Sequence, residues 1–106
     1  MRQPGELDRR LALQAPVESD DGAGGVVRSY RTVAFAWSEV TPLSMRADVA
    51  ADSLGAVWRY RIRLRRREDV TMRHRFCDGA TVYRIVAIGF SDDLSYLVID
   101  AEVRGD

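Results

Sequence analysis

His74 and Cys77 are the one histidine and the one cysteine in a chain of 106 residues, three positions apart. That makes them the first place to look for nucleophilic chemistry. A thiolate and an imidazole must lie within hydrogen-bond reach of each other, with a third group orienting the base. The segment that holds them, "TMRHRF" running into Asp78-Gly79, reads as a strand entering a turn, and an odd separation on a strand sends side chains to opposite faces. A zinc site takes about four ligands of this kind, and two are not enough. The paired acids Asp20-Asp21 and Asp92-Asp93 sit in turn-like segments, where aspartate is favoured for its local backbone hydrogen bonds. The glycines of "DGAGG" are followed by neither the G-K-[ST] of a phosphate loop nor a helix. No catalytic residue, metal site or cofactor site is expected.

The remaining chemistry is charge. In "WRYRIRLRRR", residues 58–67, six of ten side chains are arginine, yet sixteen basic residues balance sixteen acids over the whole chain. Arg59, Arg61, Arg63 and Arg65 share one parity, while Trp58, Tyr60, Ile62 and Leu64 share the other, which is the period of an amphipathic strand. The stripe can meet phosphate, protein or water. Single-strand nucleic-acid binding wants aromatics on the basic face for bases to stack on, and here Trp58 and Tyr60 lie on the opposite parity. All sixteen basic residues are arginine; a GC-rich coding sequence accounts for this more simply than selection for bidentate pairing. Charge is also uneven: residues 59–75 carry eight arginines against Glu68 and Asp69, and residues 91–106 carry five acids against Arg104.

The elements that must position these residues are short strands. "RRLALQAPV" alternates around Leu11 and Leu13, and "ESDDGAGG" is an acidic, glycine-rich loop. "VVRSYRTVAFAWSEVTPL" is a long bent strand with Val33, Phe35 and Trp37 on one parity, and Pro42 is expected to end its pairing. Residues 44–56 lack a core pattern and read as a long connection, with Ser44 and Gly55 able to bracket a helical turn. Asp78-Gly79 is the strongest hairpin signal, followed by "TVYRIVAIGF", a turn at 91–93 and "LSYLVIDAEV". The expected fold is therefore all-β: one domain over residues 1–106, a small antiparallel barrel or sandwich of five to six strands with one long loop between the second and third. The expected core is Trp37, Trp58, Tyr60, Ile62, Leu64, Tyr83, Ile85, Leu97 and Ile99. No apolar run is long enough to span a bilayer as a helix. The start lacks the apolar stretch of a signal peptide and the lone cysteine suits a reducing compartment, so a cytoplasmic product is expected.

The order of features over residues 5–103 resembles the phage head-tail joining proteins, also called head closure or head-tail adaptor proteins, of tailed phages, prophages and gene transfer agents. The resemblance rests on "GELDRRLALQAPVE", on "DGAGGVVRSYRTVAFAWSEVTPLS" and on "YRIRLRRREDVTMRHRFCDGATVYRIVAI", with Tyr83 and Ile85 following the Asp78-Gly79 turn. The chain departs from the family's usual residues at Trp37-Ser38 and at "SMRAD".

The resemblance implies a β-barrel without enzymatic activity that is monomeric when free. In the particle it would form a ring below the portal or adaptor ring and above tail or stopper proteins, and DNA would pass through without sequence-specific binding. It would belong to a virion or phage-like particle assembled in the bacterial cytoplasm. The long loop would face the channel or a neighbouring ring, with Ser44, Met45, Arg46, Asp48, Asp52 and Leu54 as its contacts. A ring uses one patch of each subunit against a different patch of the next. The basic stripe Arg59, Arg61, Arg63 and Arg65 and the acids Asp92, Asp93, Asp100 and Glu102 are the expected pair of patches. The alternative is a small nucleic-acid-binding barrel that uses the same four arginines.

Overall fold

The computed structural model describes residues 6–47 and 56–105. Six strands, β1 (Arg9–Asp20), β2 (Val26–Ala47), β3 (Ala56–Arg65), β4 (Arg75–Asp78), β5 (Thr81–Phe90) and β6 (Tyr96–Gly105), pair antiparallel and close into one barrel in the order β1-β2-β3-β6-β5-β4. There is no helix among the described residues. Closure matters for so small a chain because a barrel leaves few naked edges in its wall.

Alternation decides what the barrel contains. Ile62 and Leu64 of β3, Leu97, Ile99 and Ala101 of β6, and Tyr83 and Ile85 of β5 are buried, together with Leu11, Leu13 and Phe76. β3 and β6 pair over ten consecutive residues without a bulge, from Ala56↔Gly105 to Arg65↔Tyr96. Removing a large side chain from this interior, as in Ile62→Ala, costs about 2–5 kcal/mol. Trp58 and Tyr60 are half-buried rather than core. Tyr60 meets the Tyr83 ring edge-on at 5.4 Å, and Trp58 fills the space that Gly105 leaves by having no side chain.

Trp37 is a correction. It is 58% exposed, and Phe35 and Val33 lie on the same outer row. The inward row of β2 is instead Ala34, Ala36, Ser38 and Val40. The reason is volume: in the β1–β2 register Leu11 faces Ala36 and Leu13 faces Ala34. Leucines from β1 already occupy the interior, so β2 must contribute small side chains there, and its bulky row turns outward. The buried Ser38 hydroxyl donates to the Ala36 carbonyl at 3.3 Å, so its polarity is satisfied.

The expected connection is also shorter than residues 44–56. Pro42 does not end β2; a bulge between Pro42 and Ser44 absorbs it, and pairing resumes to Ala47↔Ala56. Ser44, Met45 and Arg46 therefore belong to a strand, opposite Arg59, Trp58 and Val57. Asp48, Asp52 and Leu54 lie outside the described residues.

Two turns behave as their residues dictate. Asp78↔Thr81 closes the β4–β5 hairpin around Gly79, whose φ of 60° favours glycine. In the β1–β2 turn, the Asp21 carboxylate accepts from the Ala23 and Gly25 amides at 2.7 and 2.9 Å. These bonds hold it below its ordinary value.

Candidate assembly surfaces

The sheet register sets acids on both sides of the arginine stripe, Glu39 on β2 and Asp100 and Glu102 on β6. Arg61 of β3 lies opposite Asp100 of β6 and their side chains pair at 3.3 Å. Arg63 lies opposite Glu39 of β2 and pairs with it at 3.1 Å, with both side chains largely covered. The Arg63 guanidinium also stacks over the Tyr96 ring, 4.3 Å from its centroid. Glu102 faces both Arg59 on β3 and Arg84 on β5, and its carboxylate pairs with Arg84. Opposite charges facing each other across strands stabilise a sheet. The stripe is thus a surface of interleaved signs.

Of the eight residues expected at an interface, the structure brings Arg61 and Asp100 into contact. It places Arg59 directly across from Glu102, and Arg65, exposed, across from Tyr96. Asp92 and Asp93 are exposed in the β5–β6 turn. There the Asp93 carboxylate accepts from the Ser95 amide at 3.0 Å and the Ser91 hydroxyl at 2.8 Å, bonds that hold it below its ordinary value. His74 and Cys77 do not form a pair. His74 Nδ1 accepts from the Thr71 amide at 3.1 Å, closing the turn before β4, while the Cys77 thiol is buried and donates to Gln14 at 3.1 Å. Burial pushes that thiol above its ordinary value. No group of metal-ligating side chains is found among the described residues.

Parity reasoning missed two surfaces. The first is aromatic: exposed Phe35 and Trp37 stand on the outer face of β2, with the Arg10 guanidinium 3.9 Å from the Phe35 centroid and Arg65 and Tyr96 beside Trp37. Aromatics therefore do share the outer face with the arginines, supplied by neighbouring strands rather than by β3. The second is a groove of about 610 Å³ between the outer half of the β1–β2 hairpin and the barrel wall. Arg28, Arg73, Arg75 and Arg84 line it. Arg28 comes from β2 and the other three from the loop before β4, β4 and β5, distant from it in sequence, so no local pattern announces the four together.

The model of the phage head completion proteins matches residues 2–104. This chain belongs to the phage head completion protein family. Among solved structures, a chain in the virion of a native gene transfer agent particle superposes on this head completion protein with a TM-score of 0.79 and 26% identity. The match covers 92% of this chain and 94% of that one, so the whole barrel is shared. No curated protein sequence matches the chain.

Proposed function

We propose that this head completion protein forms a ring at the junction of head and tail, contacting portal or adaptor subunits on one side and tail or stopper subunits on the other. It is a structural protein of a phage-like particle, situated where head meets tail and working by contact with other particle proteins. The observation that carries this reading is the family match over nearly the whole chain. We also propose that it has no enzymatic activity, and that it is monomeric until it meets the particle.

The arginine face supports protein contact over a phosphate grip. Asp100, Glu39 and Glu102 are set among the arginines and would repel a passing phosphate backbone. A surface of alternating sign selects partner and register instead. Arg59, Arg65, Asp92 and Asp93 are proposed to meet neighbouring subunits along this face, and the β2–β3 connection is proposed to face the channel or the next ring.

One observation favours the nucleic-acid alternative, namely exposed Trp37 beside Arg65, an aromatic and a cation of the kind that stack bases. A salt titration separates the readings. Four phosphate contacts give a slope of roughly −3.6 in log K against log salt on duplex DNA; the assembly reading expects weak binding with a much shallower slope. The direct test is deletion of the gene. Heads without attached tails, restored by the protein supplied in trans, are expected; particles that assemble and deliver DNA normally without it would overturn the proposal.

A further inference from the structure

The groove beside the β1–β2 hairpin is lined mainly by arginines and apolar side chains. Beyond its last contact with β4, at Gln14↔Arg75, the hairpin continues as a two-stranded arm of residues 15–20 and 26–31. Pro16, Arg28 and Tyr30 of this arm form one wall of the groove, and Arg73, Arg75 and Arg84 stand on the other side. Four guanidiniums face two carboxylates there. Glu18 is shared by Arg28 at 3.5 Å and Arg73 at 3.6 Å, and Glu102 pairs with Arg84. Each guanidinium has five donors, so one shared carboxylate leaves Arg28 and Arg73 with donors to spare.

Arg75 is held in advance. Its Nε donates to Gln14 at 2.8 Å and its guanidinium lies 3.8 Å from the centroid of Tyr30. That stacking occupies a face of the tyrosine that a nucleobase would need, so a carboxylate is the better guest. Apolar Met72, Val82 and Val86 share the groove lining. The ligand that fits is a segment mixing carboxylates with small apolar side chains.

The chain carries such a segment. The arm ends in Asp20 and Asp21, flanked by exposed Val26 and Val27. Asp20 and Asp21 accept backbone amides through one carboxylate oxygen each, and the other oxygen of each remains for a partner. A subunit cannot fill its own groove this way. Pairing runs on to Asp20↔Val26, past Arg28, so the tip lies beyond the wall that its own strands form.

We propose that the tip of the β1–β2 arm of one copy occupies the groove of the next, with Asp20 and Asp21 set among Arg28, Arg73, Arg75 and Arg84. Tip to groove is a head-to-tail contact, the kind that closes a cyclic ring. The inference rests on the ring reading above and names the surfaces that make the ring.

Particles carrying Ala23→Cys together with Met72→Cys test it, treated with an oxidant or a short bis-maleimide and run on a non-reducing gel. Ala23 is an exposed tip residue without positive φ, and Met72 is exposed. A ladder of covalent multimers is expected. It is absent from either single variant, which also controls for Cys77, and falls about tenfold when Arg73→Glu is added, since that change sets like charges against each other. Electron microscopy of the same particles separates the two claims. A ring at the junction without the ladder overturns the tip-to-groove contact and leaves the ring standing. Neither ring nor ladder overturns both. Tight duplex DNA binding by the purified protein that is lost with Arg73→Glu would assign the groove to nucleic acid and overturn the proposal.

Discussion

The β3–β6 wall and the β1–β2 arm are made of the same kind of strand and do opposite things. The wall pairs over ten residues and every second β3 side chain from Tyr60 to Leu64 enters or packs against the core, with ion pairs laced over the outside. The arm has one strand pairing per strand, and Val17, Val26 and Val27 stand exposed on it. The wall's free energy is spent within the subunit. The arm leaves those apolar groups uncovered within its own subunit, which suits the proposed contact with another copy. What separates the two is the number of neighbours each strand finds in its own chain.

The largest effect is expected in the wall. Ile62→Ala should lower unfolding free energy by about 2–5 kcal/mol in denaturant melts, while Val27→Ala on the arm should stay within about 0.5 kcal/mol. Equal losses at both sites would erase the distinction. Next comes Arg63→Glu. It sets a second carboxylate against the part-buried Glu39 and should cost about 1–3 kcal/mol, whereas Arg65→Glu on the exposed end of the stripe should leave the melt unchanged and act on tail attachment. If Arg63→Glu folds as stably as the parent, the ion-pair lacing contributes nothing.

Trp37→Ala should barely move the melting curve, because the side chain is more than half exposed; a loss as large as that of Ile62→Ala would put it back in the core. Its expected effect is on particle assembly, read as tail attachment. The smallest effect is at the arm tip in acid. Asp21 is held below its ordinary value of 3.8 by the amides of Ala23 and Gly25. A lowered folded-state value means that the turn's extra stability is complete above the ordinary value and is lost as pH falls through the folded one. Amide exchange at Ala23 and Gly25 should therefore quicken as pH drops below that range, after correction for intrinsic rates, while amides of β3 and β6 stay protected. Uniform loosening of both regions would mean that the arm and wall unfold as one unit.

Much of the wall was legible beforehand. The period of two in "WRYRIRLRRR" and "LSYLVIDAEV" identifies both strands and places Ile62, Leu64, Leu97 and Ile99 inside, because in each the polar row can only be outside. The Asp78-Gly79 hairpin was legible for a similar reason, since only a few residues accept its backbone geometry. β2 was not. Both of its rows are apolar, one of alanines and one of Val33, Phe35 and Trp37, and hydrophobicity alone ranks the larger row as core. Nor does a proline's local preference reveal that a bulge can absorb it, as at Pro42.

The sequence by itself determined where the strands and turns lie and, wherever one row is charged, which row faces in. Those are properties of neighbouring residues, enforced by backbone geometry and by the cost of burying charge. Only the tertiary structure decided which of two apolar rows on β2 is covered, that Arg61 meets Asp100 and Arg63 meets Glu39, and that four arginines from β2, β4, β5 and the loop before β4 share one groove. Those outcomes depend on register and on the volume supplied by strands distant in sequence, and the leucines of β1 fill the barrel before β2 can.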